Sequence, residues 1–351
     1  MIKTLSIETS CDDTSIGIIS FDGEIFKSQK LLAYSQIDDH QKYGGVVPEI
    51  ASRLHSEKII KVLDKIGFSE IKKIDFISIT THPGLPGSLV VGKAIGNLLG
   101  EYFQKPIVEV NHIYGHIFSL LLEKKLKDIT FPIMVLTASG GHNDLYLVEK
   151  TNPPNKGDDL IKGGQGVGTN IDSKFQITKV GHTLDDAAGE CFDKVARMLG
   201  GPYPGGQRIS QKAAKGKPNP DLKFKRIFLS KDKFEFSFSG FKSQAYNMIK
   251  KLEKNGKKIT EKIICDISYE FQEAVVEVLV KKLIKAGKIY NAKTLGIAGG
   301  VSCNDRLREY LNESTMKQGD IKILKPTKKI YSTDNAAMIG VAGILKNMGK
   351  I

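Results

Sequence analysis

Residues 2–21, IKTLSIETSCDDTSIGIISF, predict two buried strands joined by a small polar turn. Ile2 to Glu8 and Ser15 to Phe21 are rich in β-branched and other apolar side chains, whereas Thr9 to Thr14 carries small and polar ones. The same order of strand, turn and strand returns at Phe131 to Val148, FPIMVLTASGGHNDLYLV, about half a chain later. Two such hairpins, each followed by helices and further strands, predict an α/β fold in which two similar halves arose by duplication.

The remaining elements are predicted from apolar periodicity and from Pro, Gly and capping residues. The predicted strands are Glu24 to Leu32, Ile74 to Thr80 and Thr294 to Ala298, and the predicted helices are Pro48 to Ile66, Leu89 to Phe103, Leu184 to Leu199 after the capping residue Thr183, Lys262 to Ala286, and Asp334 to Asn347. Thr151 to Lys179 has no usable period, so we expect a long exposed loop there, with a lid as one interpretation. We expect subdomain I to comprise residues 1–120 with the C-terminal helix 334–351, and subdomain II to comprise residues 121–333.

The charge of the chain indicates an anionic partner. Lys and Arg outnumber Asp and Glu by 52 to 39, which gives a net charge of +13 and a pI near 9.3. A lysine-rich background proteome explains the total equally well. The segment from Arg208 to Lys262, however, holds sixteen Lys or Arg residues against five acids, and such a local excess favours a nucleic-acid surface.

Cysteine spacing and hydropathy indicate the compartment. Four cysteines lie far apart without a C-x-x-C pair, which indicates neither a zinc ribbon nor a disulfide framework and fits a reducing cytoplasm. Met1 leads almost directly into a strand, so we expect no signal peptide. No apolar run approaches the roughly 20 residues needed to span a bilayer, and we therefore expect a soluble, cytoplasmic protein.

The segment VNHIYGH at Val110 to His116 places two histidines four residues apart. In a helix, His112 and His116 leave the same face one turn apart, which is a metal-binding arrangement. Two histidines at this spacing are also common as a half-buried surface pair, and the segment alone does not decide between the two interpretations.

Glycine-rich turns after buried strands indicate a phosphate site. Ser139-Gly140-Gly141 and Gly299-Gly300 both follow such strands, so their backbone N–H groups can approach a phosphate. Neither is a P-loop, and no G-x-G-x-x-G follows the first strand. Two such turns together predict a nucleotide held in a cleft between the two halves, the arrangement of the actin, hexokinase and Hsp70 type of fold.

Four acids follow in one predicted helix: Asp185, Asp186, Glu190 and Asp193. A favourable interaction with the helix dipole explains Asp185 and Asp186, which lie near the helix start. Asp193 lies deeper, so we take it as a candidate for binding ribose hydroxyls.

Nine motifs occur here in the order in which they occur in the bacterial tRNA N6-adenosine threonylcarbamoyltransferases, the TsaD family. They are IETSCDDTS, YGGVVPEIASRLH, NHIYGH, ASGGH, LDDAAGECFDKVARMLG, YPGG, SFSGFK, GIAGGVSCND and STDNAAM. The chain resembles this family over nearly its whole length. The resemblance implies an actin-like, ribonuclease H-like α/β fold with two subdomains and a central nucleotide cleft. It implies an acyltransferase that moves the threonylcarbamoyl group of threonylcarbamoyl-AMP to N6 of adenosine 37 in tRNAs reading ANN codons, forming t6A and releasing AMP.

The resemblance also assigns site residues. His112, His116 and Asp334 resemble the family's metal ligands, which hold one iron(II) ion, Fe2+, per subunit, with zinc as an alternative. The residues that resemble the adenylate site are Thr137, Ala138, Ser139, Gly140, Gly141, Asp193, Gly206 and Asn304. Asp12 and Asp13 are candidates for handling protons, although the family motif usually reads TSCDET and Asp13 is one methylene shorter than that glutamate.

The resemblance implies partners as well. Bacterial proteins of this kind act on the tRNA anticodon loop together with a non-catalytic, TsaB-like paralogue and a P-loop ATPase of the TsaE type, whereas the mitochondrial branch works as a homodimer.

Three rival functions compete with this interpretation of the sequence. A zincin peptidase needs H-E-x-x-H and has Ile113 here instead of the glutamate. A sugar or acetate kinase leaves the histidine pair unexplained, and a non-catalytic scaffold would have no need of the histidines.

Overall fold

The computed structural model describes residues 1–151, 173–229, 234–316 and 321–351. Its first sheet contains the N-terminal hairpin and has the strand order β3-β2-β1-β4-β5. The strands are β1 (Ile2–Glu8), β2 (Asp13–Phe21), β3 (Phe26–Ser35), β4 (Phe76–His82) and β5 (Ile107–Asn111). The pairs β1–β2 and β2–β3 are antiparallel, whereas β1–β4 and β4–β5 are parallel. Parallel strands end at the same edge, so the turn after β1 and the ends of β4 and β5 lie together.

The second sheet repeats this arrangement with the order β10-β9-β6-β7-β8. Its strands are β6 (Ile133–Ala138), β7 (Asn143–Thr151), β8 (Lys174–Gly181), β9 (Thr294–Ala298) and β10 (Lys322–Leu324). Again two antiparallel pairs, β6–β7 and β7–β8, stand beside two parallel pairs, β6–β9 and β9–β10. The prediction of a duplicated α/β fold is confirmed, because strand order and strand direction match in the two halves.

The helices of the first lobe come from both ends of the chain. They are α1 (Ile37–Gln41), α2 (Pro48–Ile66), α3 (Phe68–Ile71), α4 (Pro86–Phe103), α5 (His112–Ser119) and the last helix, α11 (Ala336–Asn347). The first ten residues of α11 are buried, and the helix packs on β1, β2 and α5. It approaches the sheet closely through Gly340 and Gly343, where a Cβ atom would collide with Ile19 and Ser78. The last helix thus completes the core of the first lobe and brings the residue before it, Asp334, to that lobe.

The helices of the second lobe surround one long central helix. They are α6 (Ala188–Met198), α7 (Gly205–Ala213), α8 (Ser239–Lys254), α9 (Glu261–Ile289) and α10 (Asp305–Met316). Phe271 in the middle of α9 is fully buried and meets the rings of Phe192, Phe224 and Phe241, with centroids 5.0 to 6.4 Å apart. This aromatic cluster ties α6 and α8 to α9.

Several predicted boundaries differ from the structure by two or more residues, and three of these differences change how a residue or segment is interpreted. The helix predicted from Leu184 begins at Ala188, and Thr183 does not cap it, because the Thr183 hydroxyl accepts a hydrogen bond from the Asn143 backbone N–H at 2.8 Å. The last helix begins at Ala336, two residues after the predicted Asp334. The loop predicted over residues 151–179 ends earlier, because β8 begins at residue 174 and pairs with β7; its remainder, 152–172, lies outside the described residues.

Candidate functional site

A cavity of about 1660 Å³ opens between the two lobes and receives residues from both. Ten of the thirteen residues proposed from the sequence line it: Asp12, Asp13, His112, Ser139, Gly140, Gly141, Asp193, Gly206, Asn304 and Asp334. The other three lie directly behind its wall. His116 is buried one turn beyond His112 in α5, and Thr137 and Ala138 are the buried last residues of β6. The structure therefore brings the sequence-predicted residues to one place.

The two histidines are positioned by the start of α5. This helix follows β5 directly, and the side chain of Asn111 caps it by accepting hydrogen bonds from the backbone N–H groups of Ile113 and Tyr114, at 2.8 and 3.2 Å. His112 and His116 then occupy successive turns of one helix face, with ring centroids 4.7 Å apart. His116 is 1% exposed and His112 9%, which rules out the half-buried surface pair.

Asp334 completes a group that fits a metal ion. Its Oδ1 lies 3.2 Å from His116 Nε2 and 3.6 Å from His112 Nε2. Bonds of about 2.1 Å to a first-row divalent ion place neighbouring ligand atoms about 3 to 3.5 Å apart, so these separations fit such an ion. Apart from this contact with Asp334, the ring nitrogens of the buried His116 have no polar partner within the described part of the chain. Two imidazoles and one carboxylate form a donor set for a divalent transition metal with open positions.

The neighbouring charges in this group shift the pKa values of His112 and Asp334 in opposite directions. Burial disfavours a charged imidazole at His112, but the carboxylates of Asp334 and Glu8 outweigh burial and raise its pKa to about 9. Burial would raise the pKa of Asp334, yet the positive charge of His112 and the contact with His116 lower it to about 2. Without a metal ion the group therefore holds a proton on His112, and a bound cation would displace it.

The turn after β1 adds two further acids at the mouth of this group. Burial and the neighbouring charge of Asp12 raise the pKa of Asp13 to about 7, and burial also raises the pKa of Asp12. The turn is held by the buried His55, whose Nε2 lies 2.9 Å from the carbonyl oxygen of Cys11 and whose Nδ1 lies 2.7 Å from the Thr14 hydroxyl. Burial lowers the pKa of His55, so the ring is neutral, donating from Nε2 and accepting at Nδ1.

The corresponding turn of the second lobe, Ser139–Gly141, is open instead of acidic. A Cβ atom added at Gly140 or Gly141 would meet nothing within 4 Å, and the same holds for Gly300 after β9. On its inner side the turn rests on the first residues of α6, where the Gly189 N–H donates to the carbonyl oxygen of Ser139 at 3.2 Å. The space beside the glycines and the nearby helix N-terminus suit a phosphate group.

Asp193 and Asn304 each have a structural partner in the second lobe. Asp193 Oδ1 accepts a hydrogen bond from the Gly205 N–H at 2.6 Å and so caps α7, and burial raises the pKa of this carboxyl. Asn304 Oδ1 caps α10 by accepting from the Leu307 N–H at 3.1 Å. Both Asp193 and Asn304 line the cleft.

Sequence reasoning missed three functional candidates and misread one acid. Ser210 and Gln272 accept hydrogen bonds from the Asn304 amide nitrogen, at 3.1 and 2.9 Å, and both line the cleft. Glu8, at the end of β1, lies 3.2 Å from His112 Nδ1; an acid closing an otherwise buried strand was the available signal. Asp185 does not serve the dipole of α6 but caps α8, where its Oδ1 accepts from the Phe238 and Ser239 N–H groups.

Two solved structures of low sequence identity share the fold. Full-length HypF, solved with phosphate and nucleotide bound, matches with a TM-score of 0.56 and 14% identity over 99% of this chain and 55% of HypF. A ROK family protein from Streptococcus pneumoniae TIGR4, solved with sucrose, matches with a TM-score of 0.50 and 12% identity over 100% of both chains. The class is therefore that of the two-subdomain α/β proteins with an actin-like ATPase fold.

Sequence comparison defines the family within this class. The profile of TsaD, tRNA N6-adenosine threonylcarbamoyltransferase, matches residues 30–341. Relatives of that name are 42% identical over 95% of this chain and 89% of the protein in Syntrophomonas wolfei, and 38% identical over 97% of this chain and 90% of the protein in Bacillus cereus. The chain belongs to the TsaD family. It is an acyltransferase of tRNA modification, and this decides against the peptidase, kinase and scaffold alternatives.

None of the helices in the described ranges is both long and apolar enough to cross a membrane.

Proposed function

We propose that this protein transfers the threonylcarbamoyl group from threonylcarbamoyl-AMP to N6 of adenosine 37 in tRNAs that read ANN codons, producing t6A and AMP. The observation that supports this reaction is the meeting, in one cleft, of a metal-ligand group from the first lobe and an open glycine turn from the second. A cleft between two lobes can hold the adenylate across both, with its reactive carbonyl carbon at the acidic, metal-binding side.

His112, His116 and Asp334 are the residues that would hold the metal, which we propose to be iron(II), with zinc as the alternative donor-set match. When bound there, the ion supplies Lewis-acid polarisation of the carbamoyl or phosphate oxygens. The geometry that holds the ligands comes from the chain itself. Asn111 fixes the start of α5, and the buried α11 fixes the position of Asp334.

The second lobe is proposed to bind the AMP part. The segment Thr137 to Gly141 would hold the phosphate, with the backbone N–H groups of Gly140 and Gly141 as donors, and Asp193 would accept hydrogen bonds from the ribose hydroxyls. Gly206 and Asn304 complete the proposed adenylate site. Backbone donors aimed at the phosphate stabilise the charge that develops as AMP departs.

Asp13 is proposed to take the proton from the attacking amine. The bond from adenine N6 to the carbamoyl carbon forms, the bond from that carbon to the phosphate oxygen of AMP breaks, and the N6 proton passes to the Asp13 carboxylate, which lines the cleft. A pKa of about 7 suits a base that works near neutral pH. Asp12 would act by raising that pKa through its own charge.

The tRNA is proposed to lie along the basic segment from Arg208 to Lys262, which begins in α7 beside the adenylate site. Adenosine 37 must leave the stack of the anticodon loop to reach the cleft, as bases do in other enzymes that modify them.

We also propose the cytoplasm as the compartment of the protein. We further propose a division of the chain into subdomain I, residues 1–120 with 334–351, and subdomain II, residues 121–333.

A partner surface is proposed on the outer face of the first lobe. Between α2 and α4 lies an apolar groove of about 570 Å³ with four strongly exposed residues: Ile60, Phe68, Leu98 and Tyr102. We propose that the non-catalytic, TsaB-like paralogue binds there and that a P-loop ATPase joins the complex, with a homodimer through the same groove as the alternative.

Two substitutions test this surface. Leu98→Asp should prevent complex formation, whereas Ile289→Asp, at an exposed apolar position of the second lobe, should not. Size-exclusion chromatography of each variant mixed with the paralogue shows whether the complex forms.

The deciding experiment follows label from threonylcarbamoyl-AMP into unmodified tRNA, with the paralogue and ATPase added. Adenosine 37 is either intact or replaced, and the enzyme is used as prepared, after chelation, or after chelation and reloading with Fe2+. We expect label on the intact tRNA alone, its loss on chelation and its return on reloading. Label on the tRNA without adenosine 37 would contradict the proposed acceptor, and transfer that survives complete chelation would contradict the role of the metal.

A further inference from the structure

We infer that Glu8 is a positioning residue for the metal site. Its carboxylate accepts a hydrogen bond from the Nδ1–H group of His112 and thereby keeps Nε2 of that ring free as the ligand atom. The inference rests on the proposed metal site and extends it by a residue outside the ligand set.

Glu8 is placed for this role by the first sheet. It is the last residue of β1 and is fully buried, where an unpaired carboxylate would be costly. Its Oε1 accepts a hydrogen bond from the Ser10 backbone N–H at 2.5 Å, and its Oε2 accepts one from the Thr80 hydroxyl at 2.6 Å. The same Oε2 lies 3.2 Å from His112 Nδ1.

The chemistry of the carboxylate selects one form of the histidine. An ionised carboxylate can only accept hydrogen bonds, so His112 Nδ1 must carry the hydrogen. The lone pair of the neutral ring then lies on Nε2, which faces Asp334 Oδ1 at 3.6 Å. The Ser10 hydroxyl, 3.0 Å from Nδ1, can donate or accept and does not enforce either form. A carboxylate behind a ligating histidine commonly orients the ring and raises its basicity.

A neutral amide cannot replace this carboxylate, because both carboxylate oxygens of Glu8 accept hydrogen bonds and an amide has only one oxygen. In Glu8→Gln, an amide NH2 on the Oε1 side would meet the Ser10 N–H, donor against donor. An NH2 on the Oε2 side would face His112 Nδ1 and favour the ring form with hydrogen on Nε2, which blocks the ligand atom. The side chains of Glu and Gln have nearly the same size, so the substitution tests hydrogen-bond direction with little change in packing.

The test measures binding of Co2+ to the full chain by competition with a chromophoric chelator, and records the visible spectrum of the bound ion. Glu8→Gln should weaken Co2+ binding by about tenfold to a hundredfold and change the spectrum. Thr4→Val is the matched control, because Thr4 is also buried in β1 and hydrogen-bonded, to Ser78 at 2.8 Å, but is remote from the histidines. It should leave both readouts unchanged.

Three outcomes would overturn the inference in distinguishable ways. Equal affinity and spectrum in wild type and Glu8→Gln would remove Glu8 from the site while leaving the metal ligands in place. Equal weakening in Thr4→Val would assign the effect to general destabilisation of the strand. A wild-type protein that binds no Co2+ would overturn the metal site itself, and the inference with it.

A second measurement serves if Glu8→Gln does not fold. In wild-type protein labelled with 15N histidine and loaded with Zn2+, the nitrogen chemical shifts identify which ring nitrogen of His112 bears hydrogen. We expect hydrogen on Nδ1 and the metal on Nε2. Metal on Nδ1, or an Nδ1 without hydrogen, would overturn the inference without any variant at the carboxylate.

Discussion

The two hairpin turns occupy equivalent places in the two lobes but differ in chemistry. The first, Thr9 to Thr14, carries the acids Asp12 and Asp13 and lies beside Asp334. The negative charge of Asp334 contributes to the raised pKa values of both acids. The second, Ser139 to Gly141, carries no acid and has open space beside its glycines. Each turn follows the central strand of its sheet and contacts the start of a helix, so the surrounding backbone is arranged in the same way in both lobes.

This contrast separates two tasks that one duplicated frame supports. A turn with two buried acids repels a phosphate but is suited to proton transfer beside a cation. An open glycine turn at a helix N-terminus attracts the phosphate and cannot titrate. We expect substitutions in the first lobe to change metal binding and proton transfer, and substitutions in the second to change adenylate affinity, with little effect across the cleft.

The largest effect is expected from His116→Ala in the first lobe. Removal of one of three protein ligands should abolish metal binding and reduce transfer at least a hundredfold, because the two remaining ligands cannot hold the ion. The fold should persist, since the polar contact of this ring within the described residues is with the site residue Asp334 alone. Metal content, transfer rate and circular dichroism check this, with His182→Ala, an exposed histidine of the second lobe, as the matched control. Normal turnover of His116→Ala would contradict the assigned site.

The next largest effect is expected from Asp13→Asn. Loss of the proposed base should lower the transfer rate about a hundredfold at neutral pH. The wild-type rate should rise with pH through about 7 as Asp13 loses its proton, and the variant should lack that rise. A wild-type profile that is flat across this range would remove Asp13 from proton transfer.

The same group makes a prediction about stability. The pKa of Asp13 is raised in the folded protein above its ordinary value of 3.8, so the folded state binds more protons between about pH 4 and 7. Stability of the metal-free protein should therefore fall as pH rises through this window, with a contribution from this group of at most about 1.4 kcal/mol per pH unit. Asp13→Asn should make the pH dependence shallower, as measured by urea unfolding. An unchanged slope would contradict the raised pKa.

A smaller effect is expected in the second lobe from Asp193→Ala. Adenylate binding should weaken about tenfold through loss of the ribose contact, and unfolding free energy should fall by about 1 kcal/mol through loss of the α7 cap. Binding of AMP, measured by calorimetry, and the melting temperature report the two effects separately. Asp193→Asn keeps an acceptor for the Gly205 N–H and should recover most of the stability. Weaker metal binding in either variant would contradict the separation of the lobes.

Local sequence pattern was sufficient for the hairpins, the histidine pair and the glycine turns, because strand and helix periodicity and glycine turns are local signals. The family resemblance was needed for Gly206, Asn304 and Asp334, which no local pattern singles out. It failed where a distant partner decides. The polar segment that forms β8 becomes a strand through pairing with β7, and Asp185 caps α8 across more than fifty residues instead of starting its own helix. Glu8 and Gln272 were missed for the same reason, since their partners His112 and Asn304 are remote in sequence.

The smallest effects, and the sharpest contrast between the lobes, are expected from two glycines that support the two turns. Gly84 lies against the first turn, where an added Cβ would come within 2.7 Å of the Ser10 carbonyl oxygen. Gly189 lies against the second, where an added Cβ would come within 2.6 Å of the Ser139 carbonyl oxygen. An alanine at either position must displace its turn, and overpacking of this kind costs about 1 to 3 kcal/mol.

The two alanine variants should therefore give crossed results. Gly84→Ala moves Ser10, which touches His112 and Glu8, so Co2+ binding should weaken several-fold while AMP binding stays the same. Gly189→Ala moves the phosphate turn, so AMP binding should weaken several-fold while Co2+ binding stays the same. Because each variant is the other's control for destabilisation, equal losses of both ligands in both variants would mean that the lobes act as one unit and that the division of tasks between the turns is wrong.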